Sequence, residues 1–277
     1  MNQRKEGKSK GLRRTPRWTL SETFLKRIAV LTMLVDHAAV IFLERTLDAG
    51  TGVMLAGSQD ALYYTDRVLR AVGRQAFPIF AFCIAEGFFH TRSRGRYLAR
   101  LAGVSVLSQL PFVLMNNAGP VGSGLPVSLN TMATLSLGLL LVWLVELLLK
   151  PEEGGLAGTE GFFRAALAVA AVAGAYRLAQ MLRIDYGGMG VTAVLLFYLL
   201  HGMPRLAPVA VWLWLGCGDA HEWFALPGCL LLYLYDGTRG TEGMSPEKKR
   251  REKYFFYFFY PMHLLILWGI RRAIWGY

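Results

Sequence analysis

Between Leu101 and Val145 the chain runs for 45 residues without an Asp, Glu, Lys or Arg. A soluble fold would have to hide nearly all of that stretch from water. A bilayer-crossing helix needs roughly 20 apolar residues, so the stretch predicts two crossings around a Gly/Pro/Asn turn at Asn116 to Pro126. The rest of the composition excludes the competing classes. Hydrophobic residues make up 54% of the 277, too many for disorder and out of keeping with a basic nucleic-acid binder. Three cysteines cannot staple a disulfide scaffold of this length. The expectation is all-α: a polytopic helical bundle in a lipid bilayer, with no nucleic-acid partner.

About nine crossings (eight to ten) are expected, near residues 24–43, 74–90, 97–115, 130–149, 163–182, 187–200, 206–219, 222–235 and 254–270. The two short spans around Gly187-Gly188 and Pro204 to Pro208 read as a broken or re-entrant pair. Residues 1–22 form a basic tail and 23–277 a single transmembrane domain, in which 236–253 is a basic loop. Arg4, Lys5, Lys8, Lys10, Arg13, Arg14 and Arg17 place the tail in the cytoplasm by the positive-inside rule. No small-residue cleavage site follows Phe42, so the first helix is expected to stay uncleaved.

With that orientation, 22 of the 30 basic residues fall on the inner side, and the net charge of +11 is mostly topology. The exceptions are Arg45, Arg67, Arg70, Arg74, Arg177, Arg183, Arg271 and Arg272. Arg67, Arg70 and Arg74 share one side of a helix. Either they pair with outer acids (Glu44, Asp48, Asp60, Asp66) or they form an anion site, since guanidinium suits phosphate and carboxylate.

An ionisable group inside a crossing is costly and points to function. The first span, LKRIAVLTMLVDHAAVIFL, carries Asp36 and His37. Neighbours lie about 100° apart on a helix, so the two cannot face the same point. One reading is a structural pair satisfied by other helices. The other is His37 as general base, with Asp36 tuning or anchoring a neighbour. Lys26 lies eleven residues earlier, on the same face and about 16 Å away along the axis, a span compatible with one extended coenzyme A; a basic helix-end anchor is the plainer reading. In the second span Pro78 predicts a kink. Glu86 and His90 are i,i+4 and predict a pair at the cytoplasmic end. Two ligands are too few for a metal, and none is expected.

The last span, KYFFYFFYPMHLLILWGIRR, holds His263 behind Tyr260-Pro261, either as a core histidine or lining a polar cavity with His37. Its aromatic run, with Trp212, Trp214 and Trp223, reads as an interfacial belt. His201 and His221 read as solvated loop-edge residues, and Cys83, Cys217 and Cys229 as buried free thiols. Serine-hydrolase and P-loop motifs are absent from the sequence.

The segments LKRIAVLTMLVDH, GRQAFPIFAFCIAEGFFHTRSRGRYLARL, SQLPF and FFYFFYPMHLLIL resemble, in content and order, the TraX family of bacterial membrane proteins, named for acetylation of conjugative pilin. The clear matches are Leu25–His37, Arg70–Leu101, Ser108–Phe112, Asn130–Gly138 and Tyr257–Leu267. The family looks like a branch of the polytopic membrane acyltransferases, which use a membrane-embedded histidine and an acyl-coenzyme A donor. Those relatives often carry an arginine eleven residues before the first-helix histidine; here the position is Lys26, with Arg27 one step out of register.

The resemblance implies an acyltransferase-like domain in a bacterial inner membrane. It implies His37 as catalytic residue with Asp36 beside it, and acetyl-CoA as donor bound by Lys26, Arg70 and Arg74. Glu86, His90, Tyr260 and His263 would line the substrate cavity, and the acceptor would be an amine or hydroxyl on a peptide N-terminus, glycan or lipid. Two other classes compete: a transporter or flippase for an anionic solute, and a non-catalytic assembly factor for a pilus or surface structure.

Overall fold

The computed structural model describes residues 19–44, 59–116, 128–150 and 158–275. The tail up to residue 18, Arg45, Asp48 and the expected turn from residue 117 to 126 lie outside these. The fold is all-α. Helix α1 (Glu22–Ala39) starts where the Ser21 hydroxyl accepts from the Phe24 amide, and continues as a π-turn over Val40–Glu44. α2 (Gln59–Gly73) leads into α3 (Ala76–His90), then α4 (Arg94–Asn116). α5 (Thr131–Leu149) is capped by Asn130, whose side chain accepts from the Ala133 amide. α6 (Gly158–Met181), α7 (Gly187–Leu199), α8 (Leu206–Gly218), α9 (Leu226–Leu231) and α10 (Pro246–Trp275) complete the bundle.

Among the described residues, four helical stretches are long and apolar enough to cross a membrane: Asp60–His90 (α2 with α3), Arg94–Asn116, Thr131–Leu149 and Gly158–Met181. The apolar helices α7 and α8 are shorter; thirteen residues reach only about 20 Å. α3 and α7 form the centre, where Phe77, Ile79, Ala81, Val191, Ala193 and Val194 are buried. α6 is peripheral and shows Phe162, Val169 and Met181 outward, as a lipid-facing helix does.

Several expectations need correction. Residues 222–235 are not one span: a 3-10 turn over Ala220–Ala225, the six-residue α9 and a second 3-10 turn over Leu232–Leu234 replace it. Pro227 opens α9, and Gly228 packs against the Gln75 backbone so closely that an added Cβ would sit 2.8 Å from its carbonyl oxygen. The basic stretch 236–253 is not all loop, because α10 begins at Pro246. α2 is an additional helix that a search for apolar runs passes over; its polar residues Asp60, Thr65 and Arg67 sit among exposed Tyr63, Tyr64 and Val68. Pro78 lies in the first turn of α3, where no amide hydrogen bond is needed. Cys83 and Cys229 are buried, but Cys217 is exposed. The Trp214 indole N–H donates to the Met189 carbonyl and to Thr192, tying α8 to α7.

Candidate functional site

His37 leaves the middle of the bundle from α1 and meets His263 of α10, Nδ1 to Nε2, at 2.6 Å. Both are buried, and their ring planes differ by only 8°. The other nitrogen of His263, Nδ1, lies 2.8 Å from the Phe259 carbonyl oxygen. A carbonyl only accepts, so His263 Nδ1 carries the proton and its Nε2 accepts from His37 Nδ1–H. His37 Nε2 is then left with its lone pair and, among the described residues, without a hydrogen-bond partner. The edge of the Tyr260 ring packs on both imidazoles, at 6.2 and 5.8 Å between centroids. His37 lines a chamber of about 160 Å³ together with Arg70, Arg74, Phe80, Met132, Asp185 and Tyr186.

Asp36 does not touch His37. Its Oδ2 accepts from Arg70 Nη1 at 2.6 Å and its Oδ1 from Arg74 Nη2 at 3.3 Å. Arg70 also reaches Glu44 at 3.4 Å, and Arg74 donates to Glu222 at 3.0 Å. Of the two readings for the arginines, pairing is what the structure shows for Arg70 and Arg74, though Glu44 is the only anticipated acid among their partners. Arg67 points elsewhere, to His221 and Tyr63. His221 is exposed, as expected, and also engaged: Arg67 donates to its Nε2, and its Nδ1 and backbone amide both donate to Asp219 Oδ1. The amide bond holds the Asp219 carboxyl below the usual carboxylate range.

Two further cavities meet the chamber. One, of about 490 Å³, shares Phe80 and Met132 with it and opens among Arg92, Arg100, Arg239, Lys249 and Lys253. None of these five cations pairs with a carboxylate among the described residues. Lys26 lines the same cavity, but its ammonium is bound to Glu22 and lies over the Phe256 ring. Lys26 and the pair Arg70/Arg74 thus stand at different ends of the cavities rather than on one ligand group. The other cavity, of about 250 Å³, shares Arg74, Asp185 and Tyr186 with the chamber and opens by Gln180, Asp219 and Glu222.

Glu86 and His90 do form the i,i+4 pair, at 3.0 Å. His201 and the Tyr235 hydroxyl join the same carboxylate at 3.1 Å each, so the exposed His201 is bonded as well as solvated. His90 lines the basic cavity, while Glu86 stands behind it. Among the described residues no group of three or more His, Cys, Asp or Glu is arranged to hold a metal ion.

Asp185, Tyr186 and Glu222 belong to the site and escape a sequence search, because they sit in turns where polar residues are ordinary. Tyr186 has a left-handed backbone (φ 62°), followed by Gly187 at φ 51°. That tight entry to α7 lays the Tyr186 ring on Phe77, with centroids 3.8 Å apart, and under the Arg74 guanidinium. A bulky residue held at positive φ is the local sign that marks the position.

A model of the family described as TraX protein matches residues 21–271 of the chain. One relative, the probable fimbrial assembly protein FimC, serogroup H1, of Dichelobacter nodosus, is 38% identical over 88 residues. That alignment covers 32% of this chain and 29% of the relative. No solved structure matches the chain.

Proposed function

The chain belongs to the TraX protein family, and on that premise we propose that it is an integral membrane acyltransferase that moves acetyl from acetyl-CoA to an amine or hydroxyl. The observation that carries this reading is the free Nε2 of His37, a residue lining a chamber that shares walls with a basic cavity and with an acidic one. A multi-pass topology, with the tail and the basic cavity in the cytoplasm of a bacterial inner membrane, fits the charge bias of the loops.

Arg92, Arg100, Arg239, Lys249 and Lys253 are suited to the phosphates of the donor. Phe80 and Met132, which line both cavities, offer apolar contact to the methylene stretches of the pantetheine arm and to the acetyl methyl. His37 Nε2 takes the proton of the acceptor N–H or O–H as the nucleophile attacks the thioester carbonyl. Charge then develops on the carbonyl oxygen, where Arg70 and Arg74 supply the nearest positive potential in the chamber. Collapse breaks the C–S bond, and the proton on His37 passes to the departing thiolate. No acyl-enzyme is required. The relative's printed name concerns fimbrial assembly, and by extension a component of a surface structure is the acceptor we propose.

The test is acetyl-CoA consumption by the purified protein. His37→Ala is expected to abolish it while leaving the thermal unfolding transition in place, and full activity in that variant overturns the assignment. The succession of three cavities that share walls also suits a solute path. Counterflow in proteoliposomes without donor would favour that second reading.

A further inference from the structure

We propose that the cavity bounded by Arg74, Gln180, Asp185, Tyr186, Asp219 and Glu222 is a binding site for a compact head group that donates N–H or O–H bonds and carries no negative charge. Glu222 is the residue that reads it. The inference rests on the acyl-transfer reading only in naming that head group the acceptor.

Glu222 is 3% exposed, yet only its Oε1 is satisfied, by Arg74 Nη1; its Oε2 is buried without a hydrogen-bond partner. A buried carboxylate oxygen left unpaired is destabilising, and a ligand donor in the cavity it lines would relieve that. The balance of charge points the same way. Three carboxylates, Asp185, Asp219 and Glu222, line the cavity against one guanidinium, Arg74. Arg74 is already held by Asp36 and Glu222 and faces the Tyr186 ring. Nothing cationic is left over for an anion, and like charges across a narrow cavity exclude one. The cavity shares the walls Arg74, Asp185 and Tyr186 with the chamber that His37 lines.

Two matched pairs of small probes test this: glycinamide against glycine, and glycolamide against glycolate. Within each pair only the carboxylate differs, and the two pairs separate amine from hydroxyl. Binding is read from the thermal unfolding midpoint of the full chain in detergent, since a ligand that binds only the folded state raises it. The wild type and His37→Ala are expected to be stabilised by one or both amides and not by the carboxylates, with about tenfold discrimination or more. Glu222→Gln is expected to lose most of that preference. Asp219→Asn, at the exposed mouth and still able to cap the turn, gives a smaller loss with folding secure. If acetyl transfer is active, Glu222→Gln raises KM for the probe and leaves CoA binding unchanged.

Stabilisation by glycine and glycolate as strong as by the amides overturns the proposal. So does the absence of any shift, or an unchanged preference in both variants. A preference that is lost in Glu222→Gln, in a protein that never consumes acetyl-CoA, overturns the acyl-transfer reading and leaves the binding site standing.

Discussion

At the scale of the residue, the chemistry turns on one proton in the His37–His263 pair. The Phe259 carbonyl fixes His263, and His263 fixes His37. Removing the second histidine is therefore expected to leave His37 in place and free to take the wrong tautomer. His263→Leu should lower kcat by about a hundredfold or more with little change in KM for acetyl-CoA. His263→Gln, whose carbonyl oxygen can accept from His37 Nδ1–H, should recover part of it; equal rates in the two variants would show that His263 only packs. The sign of the pH dependence follows from the same bonds. A proton added to His263 Nε2 makes it a donor to His37 Nδ1, which moves the remaining His37 proton to Nε2 and removes the base. Activity should fall as pH falls, in a kcat profile with a single acid limb that His263→Gln displaces.

Asp36 has a different task. It neutralises two arginines in a buried setting, and Asp36→Asn should cost about 3 kcal/mol in unfolding free energy, which chemical denaturation would record. The sequence marks His37 and His263 because each interrupts an apolar run, and Arg70 and Arg74 because they stand on the outer side against the charge bias. It does not mark Glu222 or Asp185, which lie at helix ends where carboxylates are unremarkable; only the fold turns them inward.

At the scale of the element, the apolar helices, long and short, were legible, and the polar or broken ones were not. α4, α5 and α6 have lengths set by crossing a bilayer, so hydropathy finds them within a few residues of their ends. α2 is amphipathic and carries Arg67 and Arg70, with Arg74 just past its end, and it declares itself only through its partner. Gly73, at its last position, lies against α1 so tightly that an added Cβ would stand 2.1 Å from Asp36 Oδ1. The contact brings Arg70 and Arg74 onto Asp36. Gly73→Ala must push the carboxylate or the helix away, at about 1–3 kcal/mol, and is expected to reduce acetyl transfer more than a substitution on the outward side of α2, such as Tyr64→Ala. Equal effects of the two in a transfer assay would show that the close packing does not serve the site. The start of α10 was misread for a related reason: Pro246 to Lys253 is polar enough for a loop, yet Lys249 and Lys253 line the basic cavity from a helix. Lys249→Ala combined with Arg100→Ala should raise KM for acetyl-CoA about tenfold or more, increasingly so at low salt in the wild type, because the interaction is between exposed charges.

At the scale of the whole molecule, the three cavities string together along the bundle, and their chemistry changes from one end to the other. The end with Lys26 is rich in unpaired cations, the middle holds the histidines, and the end with Asp219 is rich in carboxylates. The excess of basic residues in the sequence bears on only the first of these; loop charges orient a chain but do not reveal a cavity. If the bundle spans the membrane with its basic tail inside, the two mouths must face opposite compartments. In a background of Cys83→Ser, Cys217→Ser and Cys229→Ser, Lys249→Cys should then react with a membrane-impermeant thiol reagent from the cytoplasmic side only. Gln180→Cys should react from the outside only, both residues being exposed. Coenzyme A should slow labelling at the first position and leave the second unchanged. Labelling of both from one side would place donor and acceptor in the same compartment, and transfer across the bundle would have to give way to a site with a single mouth.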